Sequence, residues 1–264
     1  MYLIRRILYY LGSLPTLLFG VRNWPVLLRL SRQAQGSEPA VLVLRDGSKY
    51  YLRTLLDAWI IKESNLDRNY ERYGAKIEDR WNVVDLGAAL GDFTVFAARR
   101  TPHGHVFAYE PAPDSVSLLE RNLALNRTSN VKVFPYAVSS SAGTLLLDVS
   151  GNEAVQYRTA GGASDDDSRI AVQSVTLAEV LAMIPTGVCD FLKMDCEGAE
   201  YDILLNLDEV VMRKINRICL EYHLLVTQYS ASDLVDFFAK RGWRAHLYPS
   251  KVRRDLGFLY AERR

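Results

Sequence analysis

The chain has 264 residues, 49% of them apolar and 24% charged, the composition of a globular protein rather than a disordered, collagenous or membrane-embedded one. One large core with an N-terminal extension is expected rather than two equal domains, because single cores stop growing near about 250 to 300 residues. The net charge of +1 hides an uneven distribution: residues 1–32 carry +5, residues 240–264 carry +6, and the body between them carries about −10. An acidic body lacks the basic patch by which a folded domain holds DNA or RNA, so no nucleic-acid partner is expected.

Residues 7–20 read ILYYLGSLPTLLFG between Arg5-Arg6 and Arg22. The run is shorter than the roughly 20 apolar residues of a membrane span, and no small-residue cleavage site follows, so a secretory leader is not expected. Pro15 predicts a break. The resulting pair of short helices packs either on the domain or on a second copy of the chain; the other reading is an interfacial anchor with its arginines toward a membrane. Cys189, Cys196 and Cys219 form no even framework, which points to a reduced, cytoplasmic protein that can lie at the inner face of the membrane. Next, VLVL and KYYLRT flank Asp46-Gly47 and predict a β-hairpin. Residues 57–73 follow as a mixed helical stretch ending at Gly74 as its C′ residue. Residues 1–75 thus read as a helical and hairpin extension, and 76–264 as the main domain.

From Asn82 onward, short apolar strands alternate with helical patterns, the signature of a parallel sheet covered by helices in an α/β fold. The predicted strands are 83–86, 106–110, 131–135, 191–195 and 215–221; the predicted helices are 92–100, 114–126, 176–184 and 200–207. Ligands bind at the carboxyl ends of such strands. The first strand ends in DLGAALGDFT, where Gly87 and Gly91 permit a tight turn into a helix. Glycines four apart do not make a dinucleotide fingerprint, which disfavours NAD. Glu110, ending the second strand 25 residues after Asp85, can accept both hydroxyls of a ribose.

VVDLGAALGDFT, FAYEPAPDSVSLLERNLALN, FLKMDCEGAEYDILLN and ICLEYH, in this order over roughly half the chain, resemble the FkbM family of S-adenosylmethionine-dependent methyltransferases. The resemblance implies a Rossmann-like class I methyltransferase fold with seven strands, one of them a terminal antiparallel strand at 256–261, and S-adenosylmethionine as cofactor. It implies methyl transfer to a hydroxyl of a sugar, glycan or natural product. It places Asp85, Gly87, Ala88, Gly91, Phe93 and Thr94 around the cofactor's methionine part, Glu110 and Pro111 at the ribose, and Tyr136 and Ala137 along the adenine, with Asp195 nearby. Ala89, Ala112 and Cys196 stand where the family usually has Asn, a polar residue and Val.

Transfer to oxygen needs an aligned acceptor and a place for its proton. Lys193 and Asp195 share a parity on the fourth strand, Glu197 follows, and Glu221 and His223 share one on the fifth. His223 is the expected base, oriented by Glu221 or Asp195. Lys193, among apolar neighbours, needs a carboxylate partner, with Asp195 or Glu221 expected. The alternative for Asp195, Glu197, Glu221 and His223 is a shared divalent metal, but nothing in the spacing selects a metal geometry, so no metal is expected. Tyr222, Tyr229 and Tyr248 are candidates to line a sugar pocket. Residues 137–175 form an insertion in which TLLLDV and IAVQSV read as added strands around the acidic, glycine-rich 161–169, expected to be mobile. The different-class alternative is a non-catalytic S-adenosylmethionine-binding or interaction module.

Overall fold

The computed structural model describes residues 2–32, 38–148, 158–159, 169–250 and 252–263. Helix α1 spans Tyr2–Gly20 without a break, which corrects the expected interruption at Pro15. Pro15 is exposed. Leu11, whose carbonyl the proline leaves without a helical donor, lies one turn back on the same exposed face. On the opposite face Ser13 is buried, donating to Tyr9 O at 2.9 Å and accepting from Lys62 Nζ at 2.9 Å. No helix among the described residues is long and apolar enough to cross a membrane.

Helix α2 (Pro25–Leu30) leads to β1 (Ala40–Val43) and β2 (Lys49–Leu52), which pair antiparallel as the hairpin expected at Asp46-Gly47. Asp46 Oδ1 closes the turn by accepting from Ser48 N at 2.9 Å and Ser48 Oγ at 2.6 Å. Helix α3 (Leu55–Ile61) starts at a reciprocal Thr54–Asp57 capping box. It runs into a π-helical turn, Lys62–Leu66, and then α4 (Asn69–Arg72). Gly74 follows as predicted but does not take the left-handed conformation. A Cβ there would lie 2.3 Å from Tyr70 O, so close approach, not helix capping, requires glycine. Val21, Leu42, Tyr50 and Leu52 share a buried cluster with Val95, Leu118 and Leu119 of the helices beyond, which joins this region to the main sheet.

The main sheet then builds as β3 (Asn82–Leu86), α5 (Asp92–Arg100), β4 (His105–Tyr109), α6 (Pro113–Asn126) and β5 (Val131–Phe134). The insertion follows with β6 (Ala137–Ser139), β7 (Gly143–Asp148), β8 (Arg158–Thr159) and β9 (Arg169–Thr176), a separate sheet in the order β6-β9-β7-β8. Both added strands are present; residues 161–168 of the acidic segment lie outside the described residues. Helix α7 (Leu177–Ala182) returns the chain to β10 (Phe191–Met194), α8 (Glu200–Leu205), α9 (Glu209–Met212) and β11 (Arg217–His223). Helix α10 (Ala231–Lys240), β12 (Trp243–Pro249) and β13 (Leu256–Arg263) complete the chain.

The seven strands lie in the order β12-β13-β11-β10-β3-β4-β5. Only β13 is reversed against its neighbours β11 and β12. The chain leaves β3 toward one edge and resumes at β10 toward the other, so β3 and β10 flank the switch point where such sheets bind ligands. Val84, Leu86, Phe107, Leu192, Met194 and Leu220 are fully or almost fully buried beneath the helices. Edge strand β12 escaped the strand-by-strand reading because its polar residues alternate with apolar ones on an open edge.

Candidate active site

The turn after β3 is fixed by the backbone. Gly87 N and Ala88 N both donate to Tyr109 O at 3.0 Å. Gly87 sits at φ 71°, and a Cβ on it would lie 1.9 Å from Asp195 O. Glycine therefore lets the β3 turn and the β10 exit touch. Ala89 takes φ 46°, a conformation that favours Asn or Gly. Its N–H donates to Glu110 Oε2 at 2.8 Å, while Ala112 N–H donates to Oε1 at 2.9 Å. Burial pushes the Glu110 carboxyl up to about 7 against these two hydrogen bonds.

Asp85 sits deeper. It is fully buried, accepts from Thr94 Oγ1 at 2.5 Å, and lies 2.9 Å from Lys193 Nζ. Lys193 also donates to Gly87 O at 2.6 Å and Leu86 O at 3.3 Å. This corrects the partner expected for Lys193: Asp85 replaces Asp195 or Glu221, because β10 pairs with β3 in the register Lys193↔Asp85. Burial alone would lower the lysine's pKa, but Asp85, Asp195 and Asp92 outweigh it and raise it.

A cavity of about 360 Å³ opens at the carboxyl ends of the strands. Gly87, Ala89, Glu110, Pro111, Tyr136 and Ala137 line one wall. Lys193, Asp195, Glu197, Glu221 and His223 line the other. Of the residues assigned to the cofactor from sequence, Asp85, Ala88, Gly91, Phe93 and Thr94 stand behind the wall, and Gly87, Glu110, Pro111, Tyr136, Ala137 and Asp195 stand on it. A concave, largely pre-formed space with few convergent polar groups is what an S-adenosyl ligand needs. Glu110 lines this space with a buried carboxyl.

On the second wall, His223 ends β11 and is 8% exposed. Its Nε2 lies 3.6 Å from Glu197 Oε2 and its Nδ1 3.4 Å from Glu200 Oε1. Desolvation lowers its pKa, yet Glu200, Asp195 and Glu221 raise it to about 10. The surrounding acids thus favour the protonated imidazole. Burial and Asp195 push Glu221 well above the carboxylate range.

Sequence reasoning missed three groups. Glu200 is fully buried and accepts from Cys196 N at 2.7 Å and Gly198 N at 2.9 Å, shaping the loop that carries Glu197. The signal was a second acid three residues after Glu197. Tyr70 donates to Asp195 Oδ2 at 3.0 Å; it comes from the α4 region, and no local pattern announces a contact across 125 positions. Tyr9, Trp59 and Glu63 form part of the rim, with Glu63 Oε1 accepting from Tyr9 at 2.9 Å and Trp59 at 3.0 Å. Among the candidate pocket tyrosines, Tyr248 lines the cavity, whereas Tyr229 stacks on Tyr201 and Tyr222 is buried away from it.

A sheet with one reversed strand, a glycine turn after β3 and an acid closing β4 defines the class as a Rossmann-like methyltransferase that uses S-adenosylmethionine. Residues 85–247 match the family described as the methyltransferase FkbM domain, and the chain belongs to that family. It is 32% identical to methyltransferase sdnD of Sordaria araneosa, covering 68% of this chain and 80% of that one. It is 28% identical to 31-O-demethyl-FK506 methyltransferase FkbM of Streptomyces tacrolimicus, covering 62% and 74%. A solved methyltransferase FkbM from Methylobacillus flagellatus superposes with a TM-score of 0.48 at 15% identity over 77% of this chain and 53% of that one.

Proposed function

We propose that this methyltransferase acts on a hydroxyl of a small natural product or sugar. The observation that carries the reading is a single cavity whose two walls hold Glu110 on one side and Asp195, Glu221 and His223 on the other. When bound, S-adenosylmethionine supplies an electrophilic methyl carbon whose bond to sulfur breaks, leaving the electron pair on sulfur. Glu110 would hold its ribose and Tyr136 would lie along its adenine. In its ionised form Glu221, made more basic by burial and Asp195, takes the hydroxyl proton, and Asp195, fixed by the Tyr70 hydroxyl, orients the acceptor oxygen. One relative is named for a 31-O-demethyl acceptor, which supports oxygen as the acceptor atom.

Incubation with methyl-deuterated S-adenosylmethionine and a panel of hydroxylated macrolides, sugars and their amino analogues tests the proposal. Label recovered as a methyl ether, with turnover lowered about 100-fold or more in Glu221→Gln, is the expected result. Label found only on nitrogen or carbon would overturn it.

The N-terminal surface supports a further reading as a contact with anionic lipid. Leu11, Leu14, Leu18 and Phe19 are 56%, 50%, 45% and 76% exposed, and Arg22, Arg29 and Arg32 lie nearby in the chain. Flotation with phosphatidylserine vesicles should carry the protein, and Leu14→Glu/Phe19→Glu should leave it at the bottom. Equal flotation of both, or of neither, would remove the membrane reading, and a dimer lost in the variant would point instead to a second copy.

A further inference from the structure

At the acceptor wall, three side chains from two strand ends point at one small volume. Asp195 follows β10, Glu197 lies two residues on, and His223 closes β11. One donor atom from each lies within 4.8 Å of the others, close enough for side-chain torsions alone to bring all three onto one ion. Asp195 and His223 each have a partner behind them. Tyr70 donates to Asp195 Oδ2 at 3.0 Å. Glu200, fully buried and locked by the N–H groups of Cys196 and Gly198, faces His223 Nδ1 at 3.4 Å.

That last contact is the informative one. A histidine that ligates a metal through one ring nitrogen almost always gives the other to a carboxylate, which fixes its tautomer and orientation. Here Nδ1 faces the Glu200 carboxylate at 3.4 Å and Nε2 faces Glu197 at 3.6 Å. The His223 side chain is nine-tenths buried, and its Nδ1 is ion-paired with Glu200 without meeting hydrogen-bond geometry. A carboxylate pinned by two backbone amides, standing behind a ring that faces two further carboxylates, is an outer shell with its inner shell in place.

We propose that Asp195, Glu197 and His223 bind a divalent metal ion at the acceptor end of the cavity. Two carboxylate oxygens and one imidazole nitrogen suit Mn²⁺ or a neighbouring first-row ion, since hard oxygen donors dominate and one nitrogen is tolerated. Three protein ligands leave coordination positions open for the acceptor. This role for the ion rests on the hydroxyl-transfer reading, although its binding does not. The acceptor oxygen occupies an open position, which lowers the pKa of its hydroxyl. The proton leaves to Glu221. The oxygen lone pair forms the bond to the methyl carbon as the carbon–sulfur bond breaks, and its electron pair stays on sulfur.

The test uses the full chain, freed of metal by chelation and dialysis, titrated with Mn²⁺ while the resonance signal of the free ion is followed. One ion per chain in the micromolar range is expected. Glu197→Gln, which removes a ligand, and Glu200→Gln, which only unlatches the ring, should each weaken binding by about tenfold or more. Glu209→Gln, on exposed α9, should change nothing. S-adenosylhomocysteine titration of each variant controls for folding, and Asp195→Asn serves if Glu197→Gln fails that control. No saturable Mn²⁺ binding below the millimolar range, or equal binding in wild type and the ligand variants, overturns the proposal. If the nucleoside binds normally while Mn²⁺ does not, the cation site falls and the methyltransferase reading stands. If Mn²⁺ binds as expected while the nucleoside does not, the site stands and the cofactor placement falls.

Discussion

On the cofactor wall the acids are answered by fixed partners, whereas on the acceptor wall three carboxylates gather around one imidazole. Asp85 has Lys193 and Thr94, and Glu110 has the N–H groups of Ala89 and Ala112. These contacts tie β3, β4 and β10 into one rigid edge on which a ligand can be placed. Asp195, Glu197 and Glu221 face the same space from the other side, where burial and Asp195 raise the Glu221 carboxyl well above the usual carboxylate range. On the proposed reading, the first wall positions the cofactor and the second moves charge. Such an imbalance is a mark of functional sites, because a purely structural fold gains nothing by keeping it.

The sharpest way to break the contrast is to remove the partner on the quiet wall. Lys193→Met leaves Asp85 buried and unpaired, and should cost about 3 to 5 kcal/mol of stability in urea unfolding. A loss under about 1 kcal/mol would mean that the pair does not brace the edge. Adding Asp85→Asn should restore part of the loss.

A second effect belongs to Glu110. Its carboxyl is raised from 4.5 to about 7, so in the free protein its stabilising contribution is complete below about 4.5 and is lost as pH rises through about 7. Ribose hydroxyls need the ionised form as acceptor. Affinity for S-adenosylhomocysteine should therefore rise with pH up to about 7 and level off above it, by at most about tenfold per unit. Glu110→Gln should flatten this profile; an unchanged slope would assign the titration to another group. The smallest effect is Tyr70→Phe, which removes the bond to Asp195 and should slow turnover by only about three- to tenfold, the rate equivalent of about 1 kcal/mol. Cofactor affinity should not move.

Much of the main sheet was legible because its apolar runs are short, dense and separated by turn residues; all five parallel strands fall within two residues of their predicted bounds. The site was legible in part. Asp85 and Glu110 looked equivalent as acids ending successive strands, but register separates them. Asp85 pairs with Ala108, two residues short of Glu110, so Asp85 sits one step deeper and turns to Lys193. Turn lengths set that register, and spacing along the chain does not disclose it. The partner of Lys193 was missed for the same reason. The rim residues Tyr9, Trp59 and Tyr70 lie outside the matched residues 85–247, and only packing across the whole molecule brings them to the cavity. Pro15 misled because a proline on a helix's exposed face leaves its orphaned carbonyl to water.

Calorimetric titration with S-adenosylhomocysteine of wild type, Glu110→Ala and Glu221→Gln tests most directly whether the two walls divide the work as described. Saturable binding in the micromolar range by wild type and Glu221→Gln, weakened about tenfold or more in Glu110→Ala for loss of a charged hydrogen-bond acceptor, is the expected result. No binding by wild type, or an equal loss in both variants, would contradict the assignment of the cofactor to the Glu110 wall and of the acceptor to the other.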